Sequence, residues 1–296
     1  MLTDTDRISF QDKFKRDYTL ISQQMKARLV EYCDPEPDAI DARYFWFNYI
    51  GKVAPRQKTS FAGPTPHMSP QHTRNRGNVI PYEWGDAFDE AQLRALVADP
   101  KNKHKMAAVA GFYRQQDLII INAALGTRVS WNEDGTTTDN SLPGAQLVAH
   151  GSAGMTFDKV RSAKQKFDAA EVDEGVPNPR RVMVHSAKQL SDLLTEAKAT
   201  SSDYIGDITA LRDGKITHWM GFDWVRSEQL PVNGSSHRRC FAMATNGVGL
   251  FSELEPRVKI GQDPSASFVE RMMLDQNMGA TRLEDVRVVE VPCVES

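Results

Sequence analysis

Cysteine is scarce in this chain of 296 residues: Cys33, Cys240 and Cys293 are far apart, odd in number and never spaced as CxxC pairs. That spacing excludes a structural zinc cluster and a disulfide framework, and is that of reduced thiols. Long apolar runs are also missing. None approaches the roughly 20 residues of a membrane span. The N-terminus MLTDTDRISF lacks the basic start and apolar run of a secretory signal, so a soluble chain made in a cytoplasm is expected. Positive charge is not in excess, with 36 Lys and Arg against 39 Asp and Glu and a formal charge of -3. Phosphate affinity comes from clustered cations that release counterions, which argues against a dedicated binder of nucleic acid or anionic membrane; contact with nucleic acid should be weak. What remains, 40% hydrophobic and 25% charged, suffices for one large domain or two small ones with a sizeable core.

One region is locally poor in apolar and acidic residues. From Lys52 to Gly85 the chain carries Pro55, Pro64, Pro66, Pro70 and Pro81, the cations Lys52, Arg56, Lys58, Arg74 and Arg76, and no acidic residue before Glu83. Within it runs SFAGPTPHMSPQHTRNRGNVIPYEW. Connections longer than about 15 residues without a core of their own are usually functional or disordered. Either this one is disordered or its partner is another chain. Nucleic acid would find only Phe61, Tyr82 and Trp84 to stack on, and the chain as a whole is acidic, which favours a protein partner.

Elsewhere the periodicities are ordered. Phe10, Phe14, Tyr18, Ile21, Met25, Leu29 and Tyr32 form a helical stripe from Ile8 to Cys33, ended by Asp34-Pro35. Asp99-Pro100 opens a long helix whose stripe Met106, Val109, Ala110, Tyr113, Ile120, Ile121, Ala124 runs to Gly126 as C-cap. Asp117 interrupts that stripe and is expected to pair with Arg114 or another neighbouring cation. The polar stretch from Thr127 to Gly151, containing NEDGTTTDN, reads as a surface excursion. Val160, Ala163, Phe167 and Ala170 mark a helix capped by Thr156. RVMVHS is a buried strand, and Ser186 with Gln189 makes a capping box before a helix burying Leu190, Leu193 and Leu194. HWMGFDWVRS alternates as a strand, Asn246-Gly247 signals a hairpin within CFAMATNGVGLFS, and SFVERMMLDQNM and DVRVVEV are two strands joined through GATRLE. The whole is an α+β protein.

Motifs for chemistry are weak. GVGLFS lacks the third glycine and following helix of a dinucleotide fingerprint, and in HGSAG His150 occupies the first glycine of a nucleophile elbow around Ser152. His67 and His72 have no carboxylate or cysteine nearby to complete a metal site, and NEDGTTTDN lacks the alternating ligands and terminal glutamate of a calcium loop. No catalytic, cofactor-binding or metal-ligating residue is expected.

Several stretches, taken in order, resemble one family. PTPHMSPQHTRNRGNVIPYEWGDAFDE, DLIIINAALGT, RVMVHSAKQLSDLL with TSSDY, GKITHWMGFDWVRSEQLP and NMGATRLEDVRVVEV together are similar to the major capsid proteins of tailed bacteriophages, from about Ser60 onward. The resemblance implies an α+β Hong Kong-97-type (HK97-like) capsid fold: an N-terminal arm over 1–51, an extended loop over 52–85, a peripheral domain with a long spine helix over 86–126, an axial domain over 127–254, and the peripheral domain's C-terminal strands over 255–296. It implies a structural, non-enzymatic role, self-assembly into hexamers and pentamers of an icosahedral shell around double-stranded DNA, and a place in the virion capsid after synthesis in the host bacterial cytoplasm. The expected partners are the chain itself, a portal protein, a separate scaffolding protein because the arm is too short to be a cleaved scaffold, a decoration protein, and weak nonspecific DNA contact, with no membrane. Arg56, Lys58, Arg74, Arg76, Tyr82, Trp84, Phe10 and Phe14 are the expected interface residues. Lys58 is the loop's one candidate for a covalent crosslink, for which no partner is evident. Two alternatives stay open: an encapsulin-like nanocompartment shell, and a cytosolic hydrolase using residues 52–85 as a lid.

Overall fold

The computed structural model describes residues 20–41, 43–58, 67–88, 101–132, 134–174, 177–195, 216–253, 256–266 and 268–295. In chain order its elements are β1 (Ala39–Ile40), β2 (Tyr44–Ile50), β3 (His72–Asn78), β4 (Ile80–Phe88), α1 (Lys101–Leu125), β5 (Arg128–Trp131), β6 (Thr137–Asn140), α2 (Phe157–Ala170), β7 (Arg181–His185), α3 (Ala187–Thr195), β8 (His218–Trp219), β9 (Phe222–Arg226), β10 (His237–Ala244), β11 (Val248–Ser252), β12 (Arg257–Asp263), β13 (Val269–Arg282) and β14 (Val288–Val294). They form two compact units: Met1–Ala27 with Pro81–Gln116 and Glu253–Asn277, and Arg28–Ile80 with Asp117–Ser252 and Met278–Ser296.

The long helix is described over 25 residues, about 37 Å at 1.5 Å per residue, and ends just before Gly126 as expected; its expected start at Asp99-Pro100 lies outside the described residues. Its end is fixed by chain and by charge. A Cβ on Gly126 would lie 2.5 Å from the Asn122 carbonyl oxygen. The orphan carbonyls of the last turn are collected by arginines, a cation at the negative helix end: Arg282 donates to Ala124 and Gly126, and Arg239 to Leu125. Asp117 accepts the backbone N–H groups of Arg28 and Leu29, 3.0 and 3.1 Å from Oδ1. Arg114, one of the cations expected to pair with Asp117, donates to Gln23 and Gln24.

That use of Asp117 bears on the expected N-terminal helix. Phe10, Phe14 and Tyr18 lie outside the described residues, and from Leu20 to Leu29 there is no helix; only a 3-10 turn occurs at Val30–Tyr32. The amides of Arg28 and Leu29 go to a side chain distant in sequence rather than to the i-4 carbonyls of a helix. Ile21 is exposed, while Leu29, Tyr32 and Cys33 are buried.

In the larger unit a sheet of order β14-β10-β7-β9-β8 carries the main core. α2 lays Val160, Ala163 and Phe167 against it, beside Val182, Met183, Val184, Phe222 and Phe241. Thr156 caps α2 as expected, its side chain accepting from the Lys159 amide at 3.3 Å. Buried Lys159 donates to the carbonyls of Ala153 and Pro292 at 2.7 and 2.9 Å, and burial lowers its pKa. α3 begins after Ser186, whose hydroxyl donates to the Gln189 side-chain oxygen, a side-chain pair in place of the side-chain-to-backbone bonds of the expected capping box. The three cysteines are free and buried.

Three strand expectations are corrected. HWMGFDWVRS is a hairpin, β8 and β9 folded about Met220-Gly221 with φ of 53° and 79°, the left-handed pair that matches strand twist. The expected Asn246-Gly247 hairpin does not form. The chain does turn there, with Asn246 at φ 61°, but β10 pairs with β14 and β7 while β11 pairs with β13. The turn passes the chain between two sheets because longer partners in each outcompete local pairing. GATRLE is not a simple connection either: β13 continues through it to Arg282, and a Cβ at Gly279 would lie 2.1 Å from the Asn78 carbonyl oxygen. The polar excursion proves to contain the hairpin β5–β6, turned at Asp134-Gly135 with Gly135 at φ 82°.

In the smaller unit β12 pairs antiparallel along β13 from Arg257↔Asp275 to Asp263↔Val269, and β4 lies on β13 as well. β12 is exposed along nearly its whole length, while Met272 and Leu274 of β13 are buried.

Candidate interaction surface

A second sheet of the larger unit, of order β1-β2-β3-β5-β6, brings together two of the expected residues. β2 reads YFWFNYI, and its period of two sends Phe45 and Phe47 inward and Tyr44 and Trp46 to the other face. The buried rings meet edge-on at 6.0 Å, and Phe45 also stacks with Phe251 at 5.7 Å. β3 reads HTRNRGN, almost without apolar side chains, yet it is seated in the sheet. Asn75 is wholly buried and donates to the Leu283 carbonyl at 2.7 Å, and Gly77 leaves the space that the Phe45 ring fills. The expectation that this stretch cannot bury itself therefore fails for residues 72–78, where hydrogen bonding and a missing side chain replace apolar bulk. Ser130 donates to Asn75, and Asn140 to Ser130, which ties the β5–β6 hairpin to β3.

On the outer face Arg74 lies over the Trp46 ring at 4.9 Å and Arg76 over the Tyr44 ring at 4.5 Å. Both are diagonal cross-strand pairs, since the register sets Arg76 opposite Trp46 and Arg74 opposite Asn48. Trp131 of β5 faces Arg74 from the other side. Each Nε is buried without an acceptor, and neither arginine has a carboxylate partner among the described residues. Arg128, Arg181, Arg239 and Arg282 of the same unit all have one.

The other expected interface residues are placed as follows. Arg56 and Lys58 lie in an exposed segment, 51–58, without regular structure. The base of the connection between β2 and β3 is closed, because Gly51 donates to the Gln71 carbonyl at 2.7 Å. Tyr82 and Trp84 share one side of β4 and line a groove of about 820 Å³ with Leu20, Ala108 and Phe112. Phe10 and Phe14 fall outside the described residues. Tyr44 and Trp46 were not anticipated from the sequence, although the alternation in YFWFNYI was there to be read.

The weaker chemical motifs have structural uses. Asp134 accepts from the Thr136 amide at 2.9 Å and its hydroxyl at 2.6 Å, bonds that hold its carboxyl below the usual range and close the hairpin turn. His150 accepts the Ser152 amide and stacks on His237 at 4.4 Å. His67 and His72 are exposed. Among the described residues no three His, Cys, Asp or Glu side chains are grouped as a metal site would need.

The family of phage capsid proteins matches residues 7–295, nearly the whole chain. The chain belongs to this family. It is a major capsid protein, structural rather than enzymatic, and its place is the virion capsid. Its fold is of the Hong Kong-97 type shared by solved phage capsids. It superposes on a chain of a solved structure titled Mycobacterium phage Che8 with TM-score 0.69 and 20% identity, over 95% of this chain and 97% of that one. For the capsid of cyanophage P-SCSP1u the values are 0.71 and 14%, over 98% and 95%. For a capsid titled as that of an empty GTA particle they are 0.70 and 12%, over 99% and 98%. Among curated protein sequences none matches this capsid protein. The nanocompartment and hydrolase alternatives are not favoured by these matches.

Proposed function

We propose that this capsid protein closes an icosahedral shell of hexamers and pentamers around double-stranded DNA, and that the connection between β2 and β3 clamps a neighbouring subunit. One observation carries the reading: every described residue from Gly51 to Ser69 is exposed, Lys52, Arg56 and Lys58 have no ion-pair partner among the described residues, and the segment rests on no core of its own. A projection built this way stays soluble alone, because it offers neither an apolar stripe nor a long regular edge to aggregate through. The segment, with β3 and most of β4, corresponds to the extended loop of the capsid fold, α1 to the spine helix, and the sheet of β7, β9 and β10 to the axial domain.

The Tyr82–Trp84 groove is a second contact surface in this reading. Many modest contacts of this kind, adding to the large buried areas of obligate assemblies, allow misplaced subunits to leave before the shell closes. A portal, a separate scaffolding protein and a decoration protein are its further partners, and synthesis is in the host cytoplasm. The mildly acidic composition keeps the wall from adhering to the genome.

The test is a deletion that spares the sheet. Because β3 is part of it, the excision is limited to residues 53–69, replaced by a short turn. The variant is expected to remain a folded subunit by circular dichroism and to form no shells in the electron microscope. Normal particles from it would refute the clamp.

A further inference from the structure

Two patches of the larger unit carry complementary, unused charge. The first is the pair Arg74 and Arg76, each guanidinium laid on an aromatic ring, each Nε buried without acceptor, neither with a carboxylate. A guanidinium held on a ring has already lost much of its rotamer freedom, and its planar fork of donors suits a carboxylate. The second is the segment Asp34-Pro35-Glu36-Pro37-Asp38, which two prolines hold extended. Glu36 and Asp38 are exposed and have no cationic partner among the described residues. Burial, then the neighbouring Asp38 and Glu36 charges, raise the Asp34 carboxyl above its ordinary pKa, opposed by a bond from the Glu36 amide; this is a carboxylate crowd without a counter-charge.

The two patches also match in spacing. Arg74 and Arg76 are alternate residues of a strand, and Glu36 and Asp38 alternate residues of an extended segment, so both pairs repeat at about 6.6 Å. Within one subunit they are held apart: β2 lies between β1 and β3, and Asp38 turns an oxygen to the Asn48 amide.

We infer that Glu36 and Asp38 of one subunit pair with Arg74 and Arg76 of a second, a head-to-tail contact between different patches of the same protein. Such a heterologous contact generates a ring when its rotation closes, the geometry a capsomer requires. The inference rests on the assembly reading above and names the surfaces that meet in it. Single-stranded nucleic acid is the rival occupant, since Tyr44, Trp46 and Trp131 could stack bases between the arginines. The acidic segment at the β1 edge of the same sheet disfavours it, and it has no need of Glu36.

The experiment uses the full chain. Arg74→Glu/Arg76→Glu and Glu36→Arg are expected to stay folded by circular dichroism and thermal unfolding, and to lower shell yield at least ten-fold at low salt, with a smaller deficit at high salt, where surface repulsion is screened. Asp38 is left in place because it holds Asn48. Combining Arg74→Glu with Glu36→Arg in one chain is expected to restore most of the yield. Should Arg74→Glu fail to fold, Arg74→Gln, which keeps the side chain and removes the charge, gives the same readout at lower amplitude.

A second measurement does not depend on shells. Chains carrying Glu36→Cys and Arg74→Cys, mixed and treated with a short bis-maleimide, are expected to give a crosslinked heterodimer that neither gives alone. Heterodimers without shells from the wild-type chain would uphold the pairing and sink the assembly reading. Failure of the charge swap to rescue folded subunits, absence of the heterodimer, or normal shells from Arg74→Glu/Arg76→Glu that have lost oligothymidylate binding would each overturn the pairing, the last by assigning the face to nucleic acid.

Discussion

The guanidinium of Arg282 donates to the carbonyl oxygen of Ala124 at 3.1 Å, so that a fully buried residue at the end of β13 closes the last turn of α1. The same side chain reaches Asn140 at 3.0 Å and Asp285 at 2.8 Å, joining helix, hairpin and C-terminal segment in one hydrogen-bonded knot. Truncation to alanine leaves the carbonyls of Ala124, Gly126 and Asn140 without this donor and takes from Asp285 one of its two arginines, Arg128 remaining. Arg282→Ala is expected to lower the unfolding free energy of the unassembled subunit by about 1–3 kcal/mol in urea titrations, the penalty of buried acceptors left without a donor. Arg282→Lys, which cannot fork, should recover only part of the loss.

Asp117 does for the start of the larger unit what Arg282 does for the helix end. Its carboxylate accepts the amides of Arg28 and Leu29, the latter residue wholly buried. Asp117→Ala should cost about 1–3 kcal/mol, the penalty of buried donors left without an acceptor, and Asp117→Asn less because one oxygen remains. Hydrogen exchange at the Arg28 and Leu29 amides is the local readout, expected to rise in the alanine variant and to change little in the asparagine one.

His185 gives the subunit a dependence on mild acid. Burial holds its pKa below the ordinary 6.5, and its Nδ1–H donates to the Ser186 carbonyl at 2.9 Å. A histidine depressed in the folded state binds its proton more readily when unfolded. Its contribution is therefore complete above about pH 6.5 and is lost as pH falls from there toward the folded value, with a slope of at most about 1.4 kcal/mol per unit. His185→Asn keeps an N–H in the place of Nδ1 without titrating. Between about pH 7.5 and 5.5 the native protein should lose stability relative to that variant, and parallel curves would contradict the assignment.

Gly77 is required by the ring behind it. A Cβ there would stand 2.0 Å from the Phe45 ring, which is fixed by Phe47 and Phe251. Gly77→Ala is expected to destabilise by about 1–3 kcal/mol, as overpacked cores do. Gly77→Ala combined with Phe45→Leu should fall short of additive loss because the smaller side chain relieves the clash.

What the sequence disclosed were the elements whose signals are local. α1, α2 and α3 were read from Pro100, Thr156 and Ser186 and from apolar spacing, and β7 from its unbroken apolar run. What it hid were choices settled by distant partners. The stripe from Ile21 to Tyr32 has helical spacing, but Asp117 takes its amides. Asn246-Gly247 turns the chain, but β13 and β14 decide where the flanking strands go. β3 looked unable to bury itself because its seat is made by Asn75 and Gly77, residues that score as loop formers. At the surface Arg74 and Arg76 stood out by charge alone. Only the strand register, which lays them on Trp46 and Tyr44, distinguishes two held, unpaired guanidinium groups from two solvated side chains.

Electron microscopy of the purified full-length chain bears most directly on the claim that this protein completes its bonding with copies of itself. Closed shells of uniform diameter from the native chain, absent when residues 53–69 are replaced by a short turn in a subunit that still folds, are the expected result. A native chain that remains a lone, stable particle under every salt condition, or a loop-deleted chain that closes the same shells, would contradict it.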